Sequence, residues 1–402
     1  MNTQMHTPCN VTLTVRRVLR LVLTISCLCL PLTGYATTYY VGTCKPGAKD
    51  FTTIQSAINA ASALPASTTI PTIYVCPGTY PEWLTITQPL NLQGIQSGDG
   101  AAVTITVPAV SPNTVVDFAP AQVLVENPGG PVNITGITID GTGFPSSVAD
   151  ATVSSIFYDS ASGTINHVIT QNLNPGTAGS TTGILVMDDF SVSPTVTVKN
   201  SSVSLPGTGS NSYGIDANGS IGTIAAINLT SINLNVTNTF LSLARNYSVG
   251  IQNSANGTST ISDNTISINS AAILTVGIAT GAEITGNTGG TYTISGNTII
   301  GFDGVVDLPS TSTTISGNIL IGSNGIILED PNATIKGNQL LPGSSIPGSV
   351  GIDFRCASTP VAMGGNTFLG TTVALNNVPA GTSLQGTAGS YSGVQTVESV
   401  CQ

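Results

Sequence analysis

Between Val132 and Phe368 one short phrase recurs nine times: an aliphatic, two small or polar residues, a variable residue, a small residue, an aliphatic. It starts as Ile134-Thr-Gly-Ile-Thr-Ile139 and sharpens into Ile261-Ser-Asp-Asn-Thr-Ile266, Ile294-Ser-Gly-Asn-Thr-Ile299, Ile315-Ser-Gly-Asn-Ile-Leu320 and Ile335-Lys-Gly-Asn-Gln-Leu340, closing with Met363-Gly-Gly-Asn-Thr-Phe368. Aligned, the variable column reads Ile137, Val168, Ser201, Thr230, Asn264, Asn297, Asn318, Asn338 and Asn366. The intervals are 31, 33, 29, 34, 33, 21, 20 and 28 residues. Flanking it are two aliphatic columns, one beginning at Ile134 and passing through Ile227, the other beginning at Ile139 and passing through Ile232. The period, the β-branched content and the absence of a 3.6-residue rhythm exclude a helical solenoid. A second register, in which Gly precedes an aliphatic, runs from Gly183-Ile184 and Gly214-Ile215 to Gly351-Ile352. Each coil therefore has at least two inward-facing strands at fixed phase. The expected fold is all-β, a single-stranded right-handed parallel β-helix, with the solenoid spanning residues 73–376.

Asn264, Asn297, Asn318, Asn338 and Asn366 read as a structural ladder. Asn tolerates the left-handed backbone of a sharp corner, and identical amides stacked at strand spacing hydrogen-bond to one another. Exposed terminal coils need covers. At residues 37–72 the expected cover is a short amphipathic helix with a capping box at Thr52-Thr-Ile-Gln55, burying Ile54, Ala57, Ile58 and Ala61. Residues 377–402 lack the phrase and read as the opposite cover.

The N-terminus reads as an export signal: Arg16, Arg17 and Arg20, an apolar run from Leu21 to Leu32, and small residues before a cleavage point after Ala36. The apolar run is too short for a membrane span. Removal of residues 1–36 leaves 6 Lys and Arg against 19 Asp and Glu, a net charge of −13, which disfavours nucleic acid and anionic membranes as partners. Only 7% of residues are charged, and mean hydropathy is +0.30, which suits a rod surfaced with Thr, Ser and Asn. Four cysteines remain after cleavage, Cys44, Cys76, Cys356 and Cys401, two near each end. In an exported rod they pair as Cys44–Cys76 and Cys356–Cys401.

Phe51-Thr-Thr-Ile-Gln-Ser-Ala-Ile-Asn-Ala-Ala61, Ile73-Tyr-Val-Cys-Pro-Gly-Thr-Tyr80, Glu82 and Leu90-Asn-Leu-Gln-Gly94 resemble the opening of pectin-lyase-like right-handed β-helix proteins, pectin methylesterases among them. The Ile-Ser-Gly-Asn-Thr-Ile phrases resemble the repeats of the same superfamily. The resemblance spans most of residues 40–370. It implies the fold, while the superfamily hosts lyases, hydrolases, esterases, epimerases, tailspikes and adhesins. The family's catalytic motifs are missing. The Gln-Asp, Asp-Phe-Ile-Phe-Gly and Gly-Arg-Pro-Trp motifs of methylesterases are absent, as is the Asp-Pro-His-Asp of epimerases. Asp188-Asp189 alone hints at the paired carboxylates of polygalacturonases.

The one candidate catalytic constellation is His167, Asp188, Asp189, Lys199 and Asp216. It joins the only histidine beyond the signal to several carboxylates on neighbouring coils. Asp188 and Asp189 are also the candidate ligands for calcium in a chain otherwise expected to need no cofactor. Tryptophan and tyrosine platforms for sugars are scattered: Trp83, Tyr158, Tyr213, Tyr247 and Tyr292. The sequence thus points to an exported, non-catalytic polysaccharide-binding or cell-surface structural protein. The alternative is a polysaccharide lyase, glycoside hydrolase or epimerase acting on an acidic polysaccharide.

Overall fold

The computed structural model describes residues 37–46, 50–64, 69–96, 102–109, 120–145, 152–174, 180–188, 192–206, 211–218, 231–244, 247–268, 275–281, 289–329, 332–342, 348–355, 361–379 and 395–397. The export signal, Asp189, Cys356 and Cys401 lie outside these residues. The strands form three all-parallel sheets of 13, 11 and 12 strands. Each coil gives one strand to each sheet in turn. Gly163–Asn166 lies in the first, Ile169–Gln171 in the second and Ser180–Met187 in the third, and Thr195–Lys199 then returns to the first. The molecule is a parallel β-helix. Among the described residues no helix is long and apolar enough to cross a membrane.

Alternation along each short strand sends every second side chain inward. On the first sheet Ile134, Ile165, Val198, Val236, Ile261, Ile294, Ile315 and Ile335 stack inside, none more than 1% exposed. The fourth repeat differs from the sequence alignment. Ile227 and Thr230 lie outside the described residues, and their places in the columns belong to Val236 and Thr239. Lys199 pairs with Thr237 and Ser202 with Phe240, so the fourth phrase is Val236-Thr-Asn-Thr-Phe-Leu241. The coil spacing there is 38 residues and then 25. The stretch from Ile227 to Ile232 carries the same apolar spacing, and spacing alone could not separate the two.

The corner between the first and second sheets is built from two successive residues with different tasks. The first takes positive φ: Gly136, His167, Asn200, Asn238, Asp263, Gly296, Gly317, Gly337 and Gly365. The second turns inward, and from Asn264 onward it is Asn. The left-handed backbone expected of the ladder asparagines therefore belongs to the residue before each of them. Asn264, Asn297, Asn318, Asn338 and Asn366 are at most 1% exposed. Asn297 Nδ2 donates to Asn318 Oδ1 at 2.9 Å and to the Ile261 carbonyl at 2.9 Å. Its own Oδ1 accepts the side-chain and backbone N–H of Asn264 at 2.9 and 3.0 Å. Asn318 and Asn338 repeat the pattern.

On the third sheet Gly183, Gly214, Gly250, Gly277, Gly304, Gly325 and Gly351 stack where the strand bends. A Cβ on Gly277 would lie 2.2 Å from Ile299 Cγ2 and 2.6 Å from the Gly304 carbonyl oxygen. Here glycine is required by close approach between coils.

Helix α1 (Ile54–Ser62) covers the first coil with Ile54, Ala57, Ile58 and Ala61 buried. Its N-cap is Thr53, whose side chain accepts from Ser56 N–H. The cap lies one residue after the expected Thr52, because Gln55 is taken up elsewhere, pairing with the backbone of Thr85 at 2.9 and 3.1 Å. The free N–H groups of Ile54 and Gln55 go to the Glu82 carboxylate at 2.8 and 2.9 Å, a favourable charge at a helix N-terminus. The first sheet also starts earlier than Ile73, with Thr38–Val41 and Asp50–Phe51, and Gly78–Pro81 is a strand of the second sheet.

Candidate functional site

The structure brings two of the candidate residues together and separates the rest. His167 occupies the left-handed corner after the first sheet, exposed, with its N–H on the Lys199 carbonyl at 3.3 Å. Lys199 ends the next strand of that sheet. Asp188 lies at the far end of these strands, about 15 Å away by strand rise. It is 3% exposed and accepts the N–H groups of Val192 and Ser193 at 3.4 and 3.1 Å, which orders the turn into Thr195. Asp216 is on the third sheet, 8% exposed. Among the described residues the candidate carboxylates Asp188 and Asp216 therefore do not converge with Lys199 around His167, and Asp189 lies outside them. Among the described residues no group of three His, Cys, Asp or Glu could hold a metal ion.

Of the expected aromatic platforms Tyr247 is 50% exposed and Tyr213 half-buried, whereas Tyr158 and Tyr292 are buried. Tyr158 is fully buried with its hydroxyl on the Val132 carbonyl at 2.9 Å, and burial pushes its pKa up. Tyr292 is 1% exposed, its hydroxyl donating to the Ala255 carbonyl at 2.7 Å, with a pKa pushed up to about 12 by burial. Trp83 packs edge-on against Phe144 at 5.3 Å.

Tyr40 and Tyr74, both half-buried, stack on adjacent strands of the first sheet, with ring centroids 5.3 Å apart and 19° between planes. The ammonium of Lys45 lies 4.4 Å from the Tyr40 ring centroid and donates to its hydroxyl. Tyr40 is in register with Asp50 on the edge strand, and on the other side the column continues from Tyr74 through Gln93, Thr135, Asn166, Lys199, Thr237, Ser262, Ser295, Ser316 and Lys336. The neighbouring outward column is Thr72, Asn91, Asn133, Thr164, Thr197, Asn235, Thr260, Thr293, Thr314 and Thr334. Parts of it are tied laterally, Asn133 Nδ2 donating to Asn91 Oδ1 at 2.8 Å and Asn91 Nδ2 to Thr72 Oγ1 at 3.2 Å.

From Tyr74 to Lys336 these two columns hold hydroxyls, amides, a ring and two lysines, and no carboxylate. Asp50 stands beside Tyr40 at the edge of the first sheet, while Glu126, Asp159, Asp216 and Asp353 are on the third sheet and Asp140 on the second. At the tyrosine end a groove of about 570 Å³ is lined by Tyr40, Lys45, Tyr74, Gln93, Gln96, Thr135 and His167, among others. The third sheet offers a different surface in its early coils: Leu124, Phe157, Leu185 and Met187 form a second apolar cluster on its outer side, each at most 6% exposed.

The sequence signal for the missed pair was present. Thr38-Tyr-Tyr-Val41 and Thr72-Ile-Tyr-Val75 are two copies of one alternating strand. Read as paired, they put Tyr40 over Tyr74.

No protein-family model and no curated protein matches the chain. Solved structures similar to it include the A-module of mannuronan C-5 epimerase AlgE6 from Azotobacter vinelandii, at 15% identity over 86% of this chain and 94% of that one, with a TM-score of 0.47. PfbA, a surface adhesin of Streptococcus pneumoniae, shares 15% identity over 80% of this chain and 87% of its own, with a TM-score of 0.44. Pectin methylesterase PemA from Erwinia chrysanthemi shares 12% identity over 78% and 92%, with a TM-score of 0.27. At these values function has to be argued from the chain's own residues.

Proposed function

We infer that this is an exported, non-catalytic protein that binds a polysaccharide along the outer face of its first sheet, beginning at the Tyr40–Tyr74 groove. The observation that carries the reading is that face itself. From Tyr74 to Lys336 it is a long array of hydroxyls and amides on a parallel sheet, with the stacked rings and the edge strand of Asp50 at one end. Sugars present alternating hydroxyl edges and apolar faces, so they match amides and hydroxyls laterally and tyrosine rings from above. A rigid array also loses little conformational entropy when a ligand settles on it.

The test is a panel of soluble polysaccharides, screened with mature protein both for retention in affinity gels and for unsaturated or reducing products. Retention without product is expected. Tyr74→Ala should weaken retention by about tenfold, the size of a well-packed aromatic contact of about 1.4 kcal/mol. Turnover of any member of the panel would overturn the non-catalytic reading, and binding indifferent to Tyr74→Ala would remove the groove from it.

A further inference from the structure

We propose that the Cys44–Cys76 disulfide is a positioning device for this groove: it holds the loop 42–46 so that Lys45 closes over Tyr40, and cleavage by a dithiol opens the groove. The inference rests on the saccharide reading for the groove's purpose, though not for the bridge's effect on Lys45.

Residues 42–46 have no regular structure, and residues 43–46 are exposed. The loop leaves the first sheet at Val41, directly after the strand that carries Tyr40. Backbone ties stop at its first residue, where Gly42 N–H reaches the Phe51 carbonyl at 2.9 Å. Beyond that the described ties of its backbone are at Cys44 alone. Its N–H points at Cys76 Sγ at 3.1 Å, and the disulfide sets the two Cα atoms 5.6 Å apart. Cys76, at 2% exposure, follows the strand that bears Tyr74, and its carbonyl accepts the Tyr80 hydroxyl at 2.8 Å. Gly42 turns with φ +84 against this anchor, and a Cβ there would meet Tyr80 Oη at 2.9 Å and Cys76 Cβ at 3.0 Å.

The bridge thus fastens the loop to the neighbouring strand, and Lys45 is the residue just past the fastening. A lysine has a flexible four-carbon stem and much rotamer freedom to lose. Fixing its Cα beforehand lets it sit on the Tyr40 ring at small further entropic cost. Cys44 is the exposed half of the bridge, so a thiolate reaches its sulfur first. A dithiol attacks Cys44 Sγ, Cys76 leaves as the thiolate and takes a proton, and the second thiol of the reagent then displaces Cys44. The protein gains two electrons and two protons as two thiols, and the reagent departs as its own disulfide.

The experiment compares oxidised full-length mature protein with protein reduced by dithiothreitol and alkylated. Acylation of Lys45 by an amine reagent, followed by peptide mapping, should speed up at least about fivefold on reduction, the loss of a ring contact of about 1 kcal/mol, while far-UV circular dichroism is unchanged. Retention on polygalacturonate, alginate, xyloglucan or laminarin, whichever the oxidised protein binds, should weaken by a similar factor. Lys45→Met should reproduce that loss in oxidised protein and make reduction ineffective, with Lys45→Arg restoring binding. Unchanged Lys45 acylation on reduction overturns the positioning role, whatever the polysaccharide result. Equal loss on reduction in wild type and Lys45→Met overturns it too, because the bridge would then act by another route. Faster acylation with no polysaccharide retained upholds the positioning and overturns the saccharide reading.

Discussion

Asn318 uses the whole hydrogen-bonding capacity of its amide: two donors to Asn338 Oδ1 and the Ile294 carbonyl, and an acceptor serving Asn297 twice. Asn318→Leu removes all of these and leaves the side-chain and backbone N–H groups of Asn297 buried without an acceptor. It should lower stability by about 1–3 kcal/mol in denaturant unfolding, the cost of buried polar groups left unpaired. Gly277→Ala is a steric test of a different column. Its new methyl meets the backbone of the next coil, which cannot move alone, so a loss of about 1–3 kcal/mol is expected. An unchanged midpoint would show that the coils separate easily. The asparagines and these glycines were legible in the sequence because each recurs at one phase of the coil. His167 follows a different logic. As a single histidine it stood out chemically, yet its position is the one where other coils place Gly, Asn or Asp, so its backbone conformation accounts for part of its place.

At the scale of elements, turns tie charge to the strands they end. Asp140 closes a second-sheet strand and accepts from the Thr142 hydroxyl and N–H and from Gln171 and Asn172. Burial would raise its pKa, and these bonds outweigh burial and lower it. A depressed carboxyl stabilises above its ordinary pKa near 3.8 and loses that contribution as pH falls through the folded value. Asp303 has the opposite sign. Burial raises its pKa, with Asp353 adding to the rise against the lowering effects of Asn324 and Arg355. Its contribution is present below the ordinary value and lost as pH rises through the raised one. Thermal melts between pH 3 and 7 should therefore show Asp140→Asn losing stability at the neutral end only, and Asp303→Asn gaining there. The reverse pattern would refute both assignments. Element boundaries were less legible than columns. Thr52 and Thr53 both precede a polar residue by three positions, so the cap could not be placed without knowing that Gln55 and Glu82 are drawn across from the first coil.

At the scale of the whole molecule, the coil between Asn297 and Asn318 is 21 residues long and begins and ends at the same point of the ladder. Cutting out residues 298–318 joins Asn297 to Ile319 and rewrites the phrase as Ile294-Ser-Gly-Asn-Ile-Leu, with every column intact. The shortened chain should fold, unfold in one transition and measure about 5 Å less in length by small-angle scattering, one strand spacing. Failure to fold would mean that coils differ in more than sequence. The asparagine ladder thus behaves as a graduated scale, on which a gene can gain or lose whole divisions while the ends, with helix α1 and the tyrosine groove at one of them, stay as they are. Reach becomes a heritable quantity separable from recognition.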